Sequence, residues 1–214
     1  MSFEVDISRR LGQSTISARF EAQGGVTALF GASGVGKSSI LNMVAGLMHP
    51  DCGHIIVDGQ TLFNSQDQVN VPPEQRRLGY VFQDGRLFPH LRVRANLLYG
   101  FHLARTEDRW IDLDEATALL GISHLMERWP NTLSGGEAKR VAIGRALLSG
   151  ARCLLMDEPL SSLDEPRCAE IIAVIERIRD ELKLPILYVS HDHAEIARLA
   201  STIITLSSEP ETIP

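Results

Sequence analysis

Apolar residues fall along this chain in two rhythms. Short unbroken runs, VTALF at 26–30, RCLLM at 152–156, PILYVS at 185–190 and TIITL at 202–206, have the length of strands and the borders expected of them. HIIVDG and LGYVF add two more strand candidates, the first closing on an Asp-Gly turn. Longer stretches repeat at helical spacing. SSILNMVAGLM (38–48) is one, and EIIAVIERIRDEL sets Ile171, Ile172, Val174, Ile175, Ile178 and Leu182 along a single core-facing stripe. Residues 87–150 differ: LRVRANLLYGFHL, LDEATALLGI and GGEAKRVAIGRALL all predict helices, with no strand between them. Strands alternating with helices predict an α/β fold with a mainly parallel sheet covered on both faces, interrupted by a helical insertion. There is no internal repeat and no low-complexity segment.

Composition narrows this picture. A chain of 214 residues with 44% hydrophobic and 22% charged side chains can bury a sizeable core. Its net charge of -6 argues against a nucleic-acid partner held by bulk electrostatics. Cys52, Cys153 and Cys168 are odd in number and lack metal spacing, which suits a reducing compartment, and Cys153 sits in an apolar run that reads as core. The opening MSFEVDISRR has no apolar signal region, and no segment reaches the ~18 apolar residues of a membrane span. The expectation is a soluble chain whose membrane role, if it has one, comes through a partner.

The chemistry gathers at the strand ends. Gly31, Ala32, Ser33, Gly34, Val35, Gly36, Lys37 and Ser38, followed by Ser39, fit G-x-x-x-x-G-K-[ST] between a strand and a helix. Such glycines let successive N–H groups face inwards as an anion nest. Lys37 can reach the β- and γ-phosphates of a nucleotide, and the Ser38 hydroxyl can ligate Mg²⁺. CLLMDEP ends another strand on Asp157, a natural magnesium partner through water, and Glu158, placed to orient an attacking water. PILYVSHDH ends a third strand on His191, which can donate to a γ-phosphate; with His193 it also spells an H-x-H metal pair, though no third ligand lies nearby. A second glycine turn, Ser134-Gly135-Gly136, opens a helix at NTLSGGEAKR and offers free donors to phosphate. Ser134-x-x-Glu137 is also an ordinary capping box, which gives Glu137 a structural role.

P-loop, LSGGE (133–137), strand-Asp-Glu-Pro, SSLD (161–164) and strand-end histidine, in that order, resemble the nucleotide-binding subunit of an ABC transporter across nearly the whole chain. The resemblance implies a P-loop NTPase with an N-terminal β-rich region, a catalytic lobe of residues 1–86 and 151–214, and a helical subdomain of residues 87–150. It implies ATP and Mg²⁺ as cofactors. It makes Gln83 the glutamine that senses magnesium and the attacking water, and sets Asp164 in the loop linking two nucleotide sites. Two copies would pack head to tail when ATP binds, the Ser134–Gly136 turn of one closing over the P-loop of the other. An integral membrane permease dimer would dock near Gln83–Leu91, where RLFPHL is an apolar stretch. An extracytoplasmic solute-binding protein would take part indirectly, and the chain would lie peripherally on the cytoplasmic face of the bacterial inner membrane, without nucleic acid.

GYVFQDGRLFPHLRVRANLLYG (79–100), LSGGE in place of LSGGQ, and VAIGRALL (141–148) are similar to the ATPase subunits of molybdate uptake systems. The implied function is ATP hydrolysis that powers oxyanion import. ATPases of sulfate and other importers are similar through the same regions. A soluble ABC protein doing mechanical work fits a single domain at net -6 poorly, and a P-loop kinase leaves LSGGE, SSLD and Glu158 unexplained. Two departures from the group stand out. The chain stops at Pro214, where relatives often continue into a β-rich regulatory domain. And EVDISRRLGQSTISAR holds no aromatic to stack on adenine, leaving Arg9, Arg10 or Leu11 to cover the base.

Overall fold

Strict alternation opens the chain in the computed structural model, which describes residues 2–206. In β1 (Ser2–Leu11) Phe3, Val5 and Ile7 point to the core, and in β2 (Ser14–Gln23) Ala18, Phe20 and Ala22 do the same. The antiparallel register sets Phe3 opposite Ala22, Val5 opposite Phe20 and Ile7 opposite Ala18. β4 (Cys52–Val57) pairs with the other edge of β1, and β5 (Gln60–Asn64) and β6 (Val69–Asn70) extend the sheet to the order β2-β1-β4-β5-β6. The β4–β5 turn is the expected Asp-Gly pair, with φ of +53° at Asp58 and +73° at Gly59, the left-handed geometry of a tight hairpin.

The chain divides into two compact units, one formed by the described part of Met1–Arg76 and Pro185–Pro214, the other by Arg77–Leu184. Besides the antiparallel sheet, the first unit holds a parallel one. β3 (Val26–Phe30) lies between β9 (Ile186–Val189) and β10 (Thr202–Thr205), with α1 (Lys37–Ala45) after β3 and α6 (His193–Leu199) after β9. The four residues of β9 are all buried, which explains their unbroken apolar run.

In the second unit, β7 (Leu78–Val81) and β8 (Cys153–Asp157) pair in parallel. Cys153 is fully buried there, as its apolar surroundings predict. The expected helices of residues 87–150 are α2 (Val93–Leu103), α3 (Leu113–Leu120) and α4 (Gly135–Leu148). α4 is buried on nearly all sides beyond its first turns, and a Cβ at Gly144 would come within 2.8 Å of both Leu97 and Leu120. That glycine lets α2 and α3 close on α4. α5 (Glu165–Arg177) carries the predicted stripe, but its end differs from expectation: Ile178–Leu182 widen into a π-turn that stops at Lys183 (φ +52°), two residues before Pro185.

Arg76, only 1% exposed, caps the end of α1. Its guanidinium donates to the carbonyls of Met43 (3.0 Å), Val44 (2.8 Å) and Val71 (2.7 Å) and to Asn70 Oδ1 (2.9 Å). Burial lowers its pKa to about 10, so it stays charged at neutral pH and complements the negative end of the helix. Arg76→Met should cost about 3 kcal/mol in urea-unfolding stability, because it strands buried acceptors. Lysine should not restore the loss, since its ammonium lacks the planar fork that spans these acceptors.

Candidate functional site

In the first unit, the turn between β3 and α1 is a nest. Gly34 and Gly36 have φ of +83° and +103°, and Gly36 stands at the N-cap of α1 without a side chain to cap it. The first N–H groups of α1 are therefore not claimed by a capping side chain, the arrangement that accepts phosphate. A Cβ at Gly36 would lie 2.7 Å from Ile16 Cγ2, so β2 presses against the loop where only glycine fits. Ala32, Ser33, Gly34 and Ser38 are exposed, Val35, Gly36 and Ser39 half-buried, and Gly31 buried. Lys37, 5% exposed, folds back so that its Nζ donates to Gly31 O at 2.7 Å and Ala32 O at 2.9 Å.

β9 runs parallel to β3, with Leu29 opposite Val189, so the glycine loop and Ser190-His191 both follow the carboxyl ends of neighbouring strands. His191 is exposed there. The His193 ring packs on Phe30 at 4.3 Å between centroids, and among the described residues no group of three His, Cys, Asp or Glu could hold a metal ion. Arg9 is turned towards His49 O, while Arg10 binds Asp51 through its N–H (2.8 Å) and Gly12 O through Nε (3.3 Å). Leu11 is half-buried. Ile16, which no sequence pattern singles out, is the side chain set against the loop.

In the second unit, Val81 lies opposite Met156, so Gln83 and the Asp157-Glu158 pair follow neighbouring strand ends. Asp157 is 8% exposed and hydrogen-bonds Tyr80, whose phenol is pushed up by burial and then by the Asp157 charge. Tyr80 in turn stacks on Phe82 at 4.1 Å. Glu158 has φ of +43°, the left-handed region that a residue with a side chain enters at a cost. Gln83 is exposed, and its backbone oxygen accepts from Lys139 Nζ. Burial lowers the Lys139 pKa, against the upward pull of Asp84 and Asp157. Arg145 adds bonds to Gly85 O (3.0 Å) and Arg86 O (2.8 Å), so α4 grips the backbone after Gln83 with two cations. Nothing in the sequence distinguishes Lys139 and Arg145 from the other charges of α4.

The Ser134–Gly136 turn begins that same helix. Glu137 N donates to Ser134 Oγ (3.3 Å) and Ser134 N to Glu137 Oε2 (2.7 Å), a complete capping box. The Ser134 N–H chiefly holds the Glu137 carboxyl below the usual range. Gly135 is exposed, whereas Gly136 is buried beside Arg167. Asp164 caps α5 by accepting from Arg167 N at 3.1 Å. Thus one unit brings Gly31–Ser39 and His191 to the carboxyl ends of neighbouring strands, and the other gathers Gln83, Asp157 and Glu158, with Ser134–Gly136 joined to the Gln83 backbone through α4.

A model of the ABC transporter family matches residues 15–161. The chain belongs to the ABC transporter family. The molybdenum import ATP-binding protein ModC of Mesorhizobium japonicum is 55% identical over 207 residues, covering 97% of this chain and 56% of its own length. ModC of Paramagnetospirillum magneticum is 53% identical over 200 residues, covering 94% of this chain and 55% of its own. The chain thus spans little more than half the length of these curated relatives. Among solved structures, a dimeric ATP-binding cassette in a post-hydrolysis state with ADP and Pi superposes with a TM-score of 0.76 at 24% identity, covering 97% of this chain and 95% of that one. cbiO1 of Clostridium perfringens, part of an ABC transporter complex, gives 0.80 at 24%, covering 97% and 84%. The P-loop NTPase fold of this family member therefore agrees with the α/β architecture expected from its sequence.

Proposed function

We propose that this chain is the ATP-hydrolysing subunit of a bacterial importer whose cargo is molybdate. The observation that carries this reading is the 55% identity to a molybdenum import ATP-binding protein along 97% of the chain. Gly31–Ser39 cradle the phosphates, and Lys37 neutralises the β- and γ-groups. Glu158 orients the attacking water and His191 donates to the γ-phosphate. Ser38, Gln83 and Asp157 are hard oxygen donors suited to magnesium, with the exposed Ser38 hydroxyl in the first turn of α1. When bound, that ion would offset phosphate charge.

The chain works as a head-to-tail pair with a second copy, Ser134, Gly135 and Gly136 of one facing the nucleotide of the other; the dimeric cassette that holds ADP and Pi is the precedent. ATP shifts the pair towards closure and hydrolysis releases it. Residues 87–150 act as the helical subdomain and 1–86 with 151–214 as the catalytic lobe. Within the second unit, a groove of about 710 Å³ lies beside the Gln83–Leu91 loop. Leu91, Leu98, Tyr99 and Leu103 give it an apolar lining, and Arg92, Arg94 and Glu127 a charged rim. It suits an amphipathic segment of a membrane permease dimer, which a solute-binding protein loads from outside. Among the described residues no helix is long and apolar enough to cross a membrane. The reading therefore sets the chain peripherally on the cytoplasmic face of the inner membrane, with no nucleic-acid partner.

The test is ATP hydrolysis by the chain co-purified with its permease in vesicles, with cognate binding protein and molybdate, tungstate or sulfate. Stimulation by molybdate and tungstate alone is expected. Stimulation by sulfate alone would replace the cargo, and failure to find any membrane partner would favour a soluble mechanical ATPase.

A further inference from the structure

Glu195 lies one turn into α6, behind the exposed His191, and its carboxylate collects two buried hydroxyls. Tyr188, fully buried in β9, donates to Oε2 at 2.8 Å, and Ser190, 2% exposed, donates to the same oxygen at 2.7 Å. Ser190 has a single hydroxyl proton, and giving it to Glu195 leaves its lone pairs for the Asp192 N–H, which lies 2.9 Å away. Asp192 in turn accepts from Ala194 N (2.7 Å) and Glu195 N (3.2 Å). The donors thus run in one direction, from the Asp192 amide through Ser190 to Glu195, and enclose the backbone of His191. On the far side of the turn, His193 packs its ring on Phe30, the residue that leads into the glycine loop.

We propose that Glu195 is a positioning residue, whose carboxylate holds Tyr188 and Ser190 and through them fixes the turn that presents His191. This rests on the role given to His191 above. The competing explanation is that α6 is anchored by Ile196 and Leu199, both nearly fully buried, and that Glu195 is incidental to the turn. The two make different predictions. A polar clamp that acts on one backbone turn changes catalytic geometry without changing nucleotide affinity, whereas a general packing contact changes both together.

The experiment compares Glu195→Ala, Glu195→Gln and His191→Ala in the full chain by steady-state ATP hydrolysis, and follows the Asp192 amide by hydrogen exchange without nucleotide. Glu195→Ala should lower kcat about tenfold with KM for ATP within about twofold, since small misplacements of a reacting group are costly. Glutamine retains an oxygen able to accept both hydroxyls and should recover kcat to within about threefold of the unmodified chain. Added to His191→Ala, the Glu195→Ala change should cost little more, because both act through one group. The Asp192 amide should exchange at least about tenfold faster in Glu195→Ala. Unchanged kcat, full additivity with His191→Ala, or unaltered Asp192 exchange would each overturn the proposal. Should the unmodified chain not hydrolyse ATP, the functional reading fails, and the exchange measurement alone decides whether Glu195 holds the turn. If Glu195→Ala does not fold, Tyr188→Phe removes one of the two donors and should give a smaller effect in the same direction on kcat and exchange.

Discussion

Glu158→Gln is expected to cut ATP hydrolysis by about 10²–10³-fold while leaving ATP affinity within about threefold of the unmodified chain. The substitution keeps size and shape but removes the charge that makes a carboxylate a proton acceptor. Glu158 adopts φ of +43° just before Pro159, and left-handed geometry at a residue with a side chain costs of the order of 1 kcal/mol. The Ser161 N–H bond to Glu158 O, at 3.1 Å, holds the turn in that state and does not depend on the side chain. The glutamine variant should therefore fold normally and, with ATP and magnesium, accumulate as a closed dimer on size-exclusion chromatography. Hydrolysis at the unmodified rate would remove Glu158 from the mechanism.

Lys37→Ala acts on the step before. The ammonium is almost fully buried and bonded to two carbonyls of its own loop, so it is held in place before any nucleotide arrives. Loss of two charge-assisted contacts to phosphate, at about 1.5 kcal/mol each, should weaken ATP binding about 10²-fold by calorimetry. Lys37→Arg should not rescue it. Its larger planar head cannot fit between Gly31 and Ala32 as a compact ammonium does. Equal ATP affinity in the alanine variant would contradict the assigned role. The two substitutions are separable in one experiment: Glu158→Gln binds without turnover, and Lys37→Ala fails at binding.

The elements most legible in the sequence are those whose physics is local. β3, β8 and β9 are buried runs flanked by glycine, proline or charge, and the glycine loop needs positive φ at set positions, which restricts residue choice. α3 announces itself by an apolar face, whereas α4, buried on nearly all sides, shows little amphipathic spacing. Other elements do not stand out either. β2 alternates alanine with polar residues around a lone Phe20, β6 has two residues, and α6 has seven. The P-loop and Asp157-Glu158 are motifs and were readable; Lys139, Tyr80, Ile16 and Glu195 were not, because each matters through a contact distant in sequence or through a neighbour's hydroxyl. The same reasoning separates the two histidines after β9. H-x-H spacing gives the two equal standing, and only the folded chain sets the ring of His193 against Phe30.

The position of β3 bears on how this molecule is made. Its neighbours on both sides, β9 and β10, come from residues after 185, while β3 itself ends at Phe30. At ribosomal rates the intervening residues 31–185 take roughly 8 to 30 s to emerge, and through that time the strand carries two unpaired edges. The phosphate cradle thus leaves the ribosome well before the strands that support it. An apolar strand waiting with both edges open is the segment a nascent-chain chaperone would be needed to shield.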